Sequence, residues 1–122
     1  MQKVLVVDDE PEAVDLLREF LTTKGYEVVA ASSGEEALRI LKQERPRLIL
    51  LDIRMPVMSG LEVLKQAREI DQEVGIIMVT AVDEENIGRE ALRLGAFDYI
   101  IKPLDLNYLE RVLWFKITTM TL

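Results

Sequence analysis

Short, nearly continuous apolar runs alternate five times with longer stretches in which apolar residues recur every three or four positions. The runs at 3–7, 26–31, 47–51, 75–80 and 97–101 predict strands. Several are almost unbroken Val, Ile and Leu, the pattern of strands covered on both faces of a parallel sheet. Between them lie helical patterns with recognisable ends. The first spans 11–24, with Pro11 in its first turn and Gly25 as its stop. Ala13, Leu16, Leu17, Phe20 and Leu21 share one side of it, so that side is expected to lie on the sheet. Ser33-Gly34-Glu35-Glu36 has the spacing of a capping box and opens a second helix that ends before Pro46. A third helix is predicted over 61–70 and a fourth over 84–94, with Gly95 as its cap. The fifth starts near Asp105 and continues towards Met120.

That last helix carries more apolar surface than one sheet contact needs. Leu106, Leu109, Leu113, Ile117 and Met120 form a core-facing stripe, Tyr108, Val112 and Phe115 widen the arc, and Trp114 points elsewhere. The surplus packs either on the sheet and a neighbouring helix or against another domain or a second copy. Residues 116–122 are rich in β-branched side chains, a weak end for a helix and a candidate start of a linker to an output domain.

Five βα units at this length imply an α/β fold, one open, doubly wound sheet of five parallel strands. Right-handed crossovers leave few topologies, and the flavodoxin-like order 2-1-3-4-5 is the expected one. The first and third strands are then neighbours, and ligands bind at their carboxyl ends.

Composition narrows the chemistry. At 122 residues the chain fits a single domain, and its net charge of −7 argues against a direct nucleic-acid contact. It has no cysteine, which excludes disulfides and thiol chemistry and fits a reducing, cytoplasmic setting. It has no histidine, which excludes imidazole zinc sites and catalytic triads. No apolar run exceeds four residues, so no segment is expected to span a membrane, and Met1-Gln2-Lys3 enters a strand without the apolar stretch of a signal peptide. Carboxylates, hydroxyls and lysine remain, best served by a hard metal ion.

The first predicted strand ends in Val7-Asp8-Asp9-Glu10 and the third in Leu51-Asp52. With those strands adjacent, Asp8, Asp9 and Asp52 converge at the switch point. Carboxylates so close repel, and a divalent ion with oxygen ligands, Mg²⁺ for preference, is the natural remedy. Read singly, Asp8 and Asp9 would cap a helix and Asp52 would start a turn. Thr80 and Lys102, at the ends of the fourth and fifth strands, lie on the same edge. Alone they are a strand-end hydroxyl and a surface lysine; together with the carboxylates they make a phosphoryl-transfer site.

At these residues the chain resembles the receiver domain of two-component response regulators over essentially its whole length. The matching pieces are VLVVDDE, LILLDIRMPVMSG, IIMVTA and YIIKP. The resemblance implies that residues 1–122 are one receiver domain and that Asp52 is the phosphoacceptor. It implies Mg²⁺ (or Mn²⁺) held by Asp9, Asp52 and the backbone carbonyl of Arg54, with Asp8 acting through water. Lys102 would pair with the phosphoryl oxygens, Thr80 would turn towards them after transfer, and Ala81 would leave them accessible. Met55 and Pro56 would shape the loop after the acceptor, and Gly60 would permit tight entry to the third helix. The Lys102-Pro103 bond would be cis, and Tyr99 would be the switch aromatic, moving inward on activation. A sensor histidine kinase or phosphotransfer protein would be the donor, meeting the first helix near Val14. An output domain beyond residue 122 and a homodimer are further implied partners. The chain would catalyse only its own phosphorylation and dephosphorylation.

Two positions depart from the usual pattern. Arg54 either obstructs the hydrolytic water or pairs with Glu10. Val82 offers no polar group to orient that water, so a long-lived phosphoryl state is expected. Rival readings fare worse. A Mg²⁺-dependent aspartyl-phosphate hydrolase needs an acid/base Asp two residues after the nucleophile, where this chain has Arg54. A flavin-binding module would meet Asp8-Asp9-Glu10-Pro11 where its phosphate should sit. A degenerate, non-phosphorylated receiver is disfavoured because every matched site residue is present.

Overall fold

The structure, a computed structural model, describes residues 2–81 and 84–120. Strands and helices alternate as β1 (Lys3–Val7), α1 (Pro11–Thr23), β2 (Glu27–Ala31), α2 (Gly34–Glu44) and β3 (Leu48–Asp52), followed by α3 (Gly60–Ile70), β4 (Gly75–Thr80), α4 (Glu85–Arg93), β5 (Asp98–Ile101) and α5 (Leu106–Met120). All the strands pair in parallel, in the order β2-β1-β3-β4-β5. This is the doubly wound α/β order expected from the sequence. Boundaries differ by a residue or two: Tyr26, Arg47 and Phe97 precede their strands, and Glu84 precedes α4 rather than opening it.

Strand periodicity divides the core. Leu5, Val7, Ile49, Leu51, Ile76 and Met78 face one side and pack with α2, α3 and α4. Val4, Val6, Leu48, Leu50 and Ile77 face the other and pack with α1 and α5. Every residue of β3 and β4 is buried, which is why those segments read as unbroken apolar runs. The helix ends follow their caps. Ser33 Oγ accepts from the Glu36 N–H at 3.2 Å, while the Glu36 carboxylate accepts from the Ser32 N–H at 2.8 Å.

At the end of the sheet that leads into β4 and β5, Arg68 on α3 works as a clamp. Its guanidinium donates to the carbonyl of Gly95 through Nε at 3.0 Å and Nη2 at 2.7 Å, and to that of Val74 through Nη1 at 2.7 Å. It thereby ties the turn after α3 to the turn after α4, satisfying a backbone carbonyl in each.

Two helix faces differ from expectation. On α1, Leu17 and Leu21 are buried, but Leu16 is more than half exposed. The sheet contact covers a narrower arc than the apolar stripe, and Leu16 borders an open recess instead. On α5, Leu109, Val112 and Leu113 are buried, and Leu106, Ile117 and Met120 pack at the margin of the same core. Val112 thus belongs to the core, whereas Tyr108, Trp114 and Phe115 are exposed. Phe115 still covers Phe97, with ring centroids 6.2 Å apart. The β-branched end stays helical through Met120, where the Thr118 and Thr119 hydroxyls donate to carbonyls three or four residues back. Residues 121 and 122 of the candidate linker lie outside the described residues.

Candidate functional site

Register builds the site. Val7 is paired with Leu51, so the residues that follow each, Asp8 and Asp52, emerge side by side at the carboxyl edge. Asp8 and Asp52 are buried and Asp9 is exposed. One carboxylate oxygen from each of the three lies within 4.8 Å of the others. Asp8 Oδ1 accepts from the Glu10 N–H at 3.0 Å, and Asp52 Oδ1 accepts from the Arg54 N–H at 3.3 Å. Lys102 Nζ stands 3.6 Å from Asp52 Oδ2. Its backbone N–H donates to the Thr80 carbonyl at 2.8 Å, and the Lys102-Pro103 peptide is cis, as expected.

The electrostatics of Asp52 record crowding that one lysine does not offset. Burial, and then the negative charge of Asp8, push its carboxyl up from 3.8 to about 6, against the opposing pull of Lys102 and the Arg54 N–H. Three hard oxygen donors at one sheet edge fit Mg²⁺ or Mn²⁺ by their chemistry.

The comparisons with known proteins concern the chain as a whole. The family model for the response regulator receiver domain matches residues 4–113. The chain belongs to that family. Among curated relatives, the receiver is 48% identical over 104 residues to the alkaline phosphatase synthesis transcriptional regulatory protein PhoP of Bacillus subtilis, covering 85% of this chain and 43% of that one. It is 39% identical over 106 residues to sporulation initiation phosphotransferase F of the same organism, covering 87% and 86%. The chain thus spans less than half of some relatives and most of others. Among solved structures, a response regulator receiver domain protein from Clostridium thermocellum superposes with a TM-score of 0.96 at 28% identity, covering 99% of this chain and 98% of that one. The chemotaxis protein CheY4 of Vibrio cholerae does so with a TM-score of 0.87 at 33% identity, covering 94% and 98%.

Other expected residues of the receiver are found as follows. The Thr80 hydroxyl donates to the carbonyls of Ala81 and Glu84, each at 3.3 Å. Ala81 borders a recess of about 640 Å³ whose walls include Leu16, Asp52, Lys102 and Leu104, leaving an apolar approach to the Asp52 carboxylate. Gly60 is required by proximity: its N–H donates to the Ile53 carbonyl at 2.8 Å, and a Cβ there would lie 2.5 Å from the carbonyl oxygen of Asp52. Met55 and Pro56 occupy the loop between β3 and α3. Tyr99 is half-buried, its ring lying across Gly88 of α4, where a Cβ would come within 2.6 Å of it.

Arg54 does not form the pair expected with Glu10. Its Nε donates to Glu84 Oε1 at 2.5 Å, and Glu10 is not its partner. Glu10 sits at the open start of α1, whereas Glu84 lies immediately before α4 on the side to which the β3–α3 loop turns. Glu84 is the residue that sequence reasoning missed. It is buried, and it accepts at both ends, carboxylate from Arg54 and carbonyl from Thr80. The only signal was an acidic residue at a helix start, which is ordinary. Val82 lies outside the described residues.

Proposed function

We propose that this receiver is a phosphorylatable switch in which Asp52 accepts a phosphoryl group from a phosphohistidine. The observation that carries the reading is Asp52 itself: a buried carboxylate raised to about 6, with Asp8 and Asp9 beside it and Lys102 Nζ 3.6 Å away. Asp9, Asp52 and the Arg54 backbone carbonyl would hold the divalent ion, and Asp8 would act through water. When bound, Mg²⁺ supplies positive charge against which the phosphoryl oxygens gather. An Asp52 oxygen attacks phosphorus in line, the bond from phosphorus to the donor nitrogen breaks, and an acyl phosphate forms. Lys102 neutralises the equatorial oxygens. Ala81, being small, keeps the approach open.

Phosphorylation adds roughly −1.5 to −2 charges and three acceptor oxygens at Asp52. Thr80 then turns from the Ala81 and Glu84 carbonyls towards them, and Tyr99 and α4 repack. A sensor histidine kinase or a phosphotransfer protein is the donor class, consistent with a chain that has no histidine of its own. The greater length of relatives such as PhoP supports an output domain beyond residue 122, and exposed Trp114 and Phe115 are available to such a domain or to a homodimer. No helix among the described residues is long and apolar enough to cross a membrane, and a cytoplasmic setting suits the proposed kinase partner. The chain catalyses only its own modification. An aspartyl-phosphate hydrolase remains disfavoured because Arg54, held by Glu84, stands where its acid/base Asp would be. Incubation with Mg²⁺ and acetyl phosphate, followed by intact mass, should add one phosphoryl group to the wild type and none to Asp52→Asn. A chain that gains no mass overturns the reading.

A further inference from the structure

Glu84 lies at the crossing of two contacts that no catalytic step uses. Its carboxylate is nearly inaccessible, with a side chain only 9% exposed, while its partner Arg54 is 70% exposed. Arg54 is also tied to the acceptor, because its N–H donates to Asp52 Oδ1. The Glu84 carbonyl meanwhile accepts from Thr80, whose strand neighbours that of Asp52. Asp52, Arg54, Glu84 and Thr80 therefore form a chain of contacts joining the ends of β3 and β4 to the start of α4.

We propose that Glu84 is a positioning residue, a latch that holds Thr80 and the first turn of α4 in the resting arrangement through its pair with Arg54. The proposal rests on the reading of Asp52 as phosphoacceptor for its trigger but not for the latch itself. Three physical arguments support it. A buried carboxylate is tolerated only while its counter-charge is present, so loss of Arg54 expels Glu84 towards water and pulls the Thr80 hydroxyl bond with it. The helix it holds is weakly seated: the buried residues of α4 are Gly88 and Ala91, whereas α2 buries five, including Leu38, Ile40 and Leu41. Finally, Arg54 is a mobile-charge competitor. A dianionic group on Asp52 sits beside its backbone and offers bidentate oxygens that a single Glu84 oxygen does not match. Transfer of the guanidinium from Glu84 to the phosphoryl group releases the latch when Asp52 is modified.

The test compares Arg54→Met, Glu84→Gln, the double variant and Arg54→Lys in the full chain. Amide hydrogen exchange across residues 84–88, without metal, reads the latch independently of phosphorylation. Arg54→Met leaves a buried charge unpaired and should speed that exchange about tenfold. The double variant lacks the pair but leaves no unpaired charge, so it should exchange no faster than Arg54→Met alone, whereas Arg54→Lys, which keeps the pair, should return close to wild type. After labelling with acetyl phosphate and Mg²⁺, Glu84→Gln frees Arg54 for the phosphoryl group and should lengthen the life of the label on the order of fivefold. Unchanged exchange in Arg54→Met, or a double variant whose change is the sum of the singles, overturns the latch. An unchanged label lifetime in Glu84→Gln overturns the competition for Arg54. A wild type that takes no label overturns the acceptor reading instead, and the exchange comparison still decides the latch.

Discussion

Replacing Asp52 by Asn should make the metal-free protein more stable at neutral pH. The side chain keeps its shape and its acceptor for the Arg54 N–H, but loses the charge that crowds Asp8. The carboxyl is displaced from 3.8 to about 6, chiefly by burial and then by Asp8. That difference corresponds to about 3 kcal/mol at full strength, and access of water and salt to the open edge of the site reduces it to about 1–2 kcal/mol. The sign follows from proton linkage. Because the folded state binds the Asp52 proton more tightly than the unfolded chain, this group supports folding below about pH 4 and loses that contribution as pH rises through about 6. The stability gap between Asp52→Asn and wild type should therefore be near zero at pH 4, open between pH 4 and 6, and stay level above about pH 7. Urea unfolding in the presence of a chelator, repeated across this range, measures it. Adding Mg²⁺ should then stabilise wild type more than the variant, narrowing the gap. A gap that is absent at pH 7.5 in chelator, or that does not change with pH, would refute the electrostatic account of the site.

Three further substitutions probe the surroundings. Lys102→Met removes the cation that lowers the Asp52 carboxyl, so its titration, followed by side-chain NMR, should move above about 6, and phosphoryl uptake from a small donor should fall at least tenfold. Gly60→Ala drives a Cβ into the Asp52 carbonyl and the Ile53 Cα, so denaturant unfolding should show a loss of about 2–3 kcal/mol together with slower metal binding. Val57 is fully exposed and holds φ at +69, a region costly for a β-branched residue, so Val57→Gly should raise stability by about 1 kcal/mol in thermal unfolding; no gain would mean that the loop is not strained there.

The architecture was legible because its determinants are local or periodic. Unbroken Val, Ile and Leu in β3 and β4 announce a sheet covered on both faces, and Pro11 and the Ser33 cap mark helix starts within their own turns. Asp8, Asp9 and Asp52 were also legible, since strand order alone carries two chain segments to one edge. What remained hidden was pairwise. Arg54 and Glu84 lie thirty residues apart, and nothing in the sequence ranks Glu84 above Glu10; the choice depends on which way the β3–α3 loop turns. The faces of α1 and α5 were misjudged for a related reason. Periodicity reports which residues are apolar, not how wide an arc the sheet covers, so Leu16 was expected inside and Val112 was grouped with Tyr108 and Phe115.

The guanidinium of Arg68 gives any movement of α4 a direction. By holding the Gly95 carbonyl from two nitrogens it fixes the far end of that helix to α3, while the near end rests on small side chains, one ion pair and the hydrogen bonds of Glu84 with Thr80 and Ala81. A rod secured at one end swings rather than slides. From residue 84 to residue 95 the lever is about 16 Å long, so a tilt of about 10° about Arg68 carries the near end through about 3 Å. That is comparable to the reach of one hydrogen bond, so a small tilt suffices to make or break every contact that Glu84 forms, while the turn at Gly95 hardly moves.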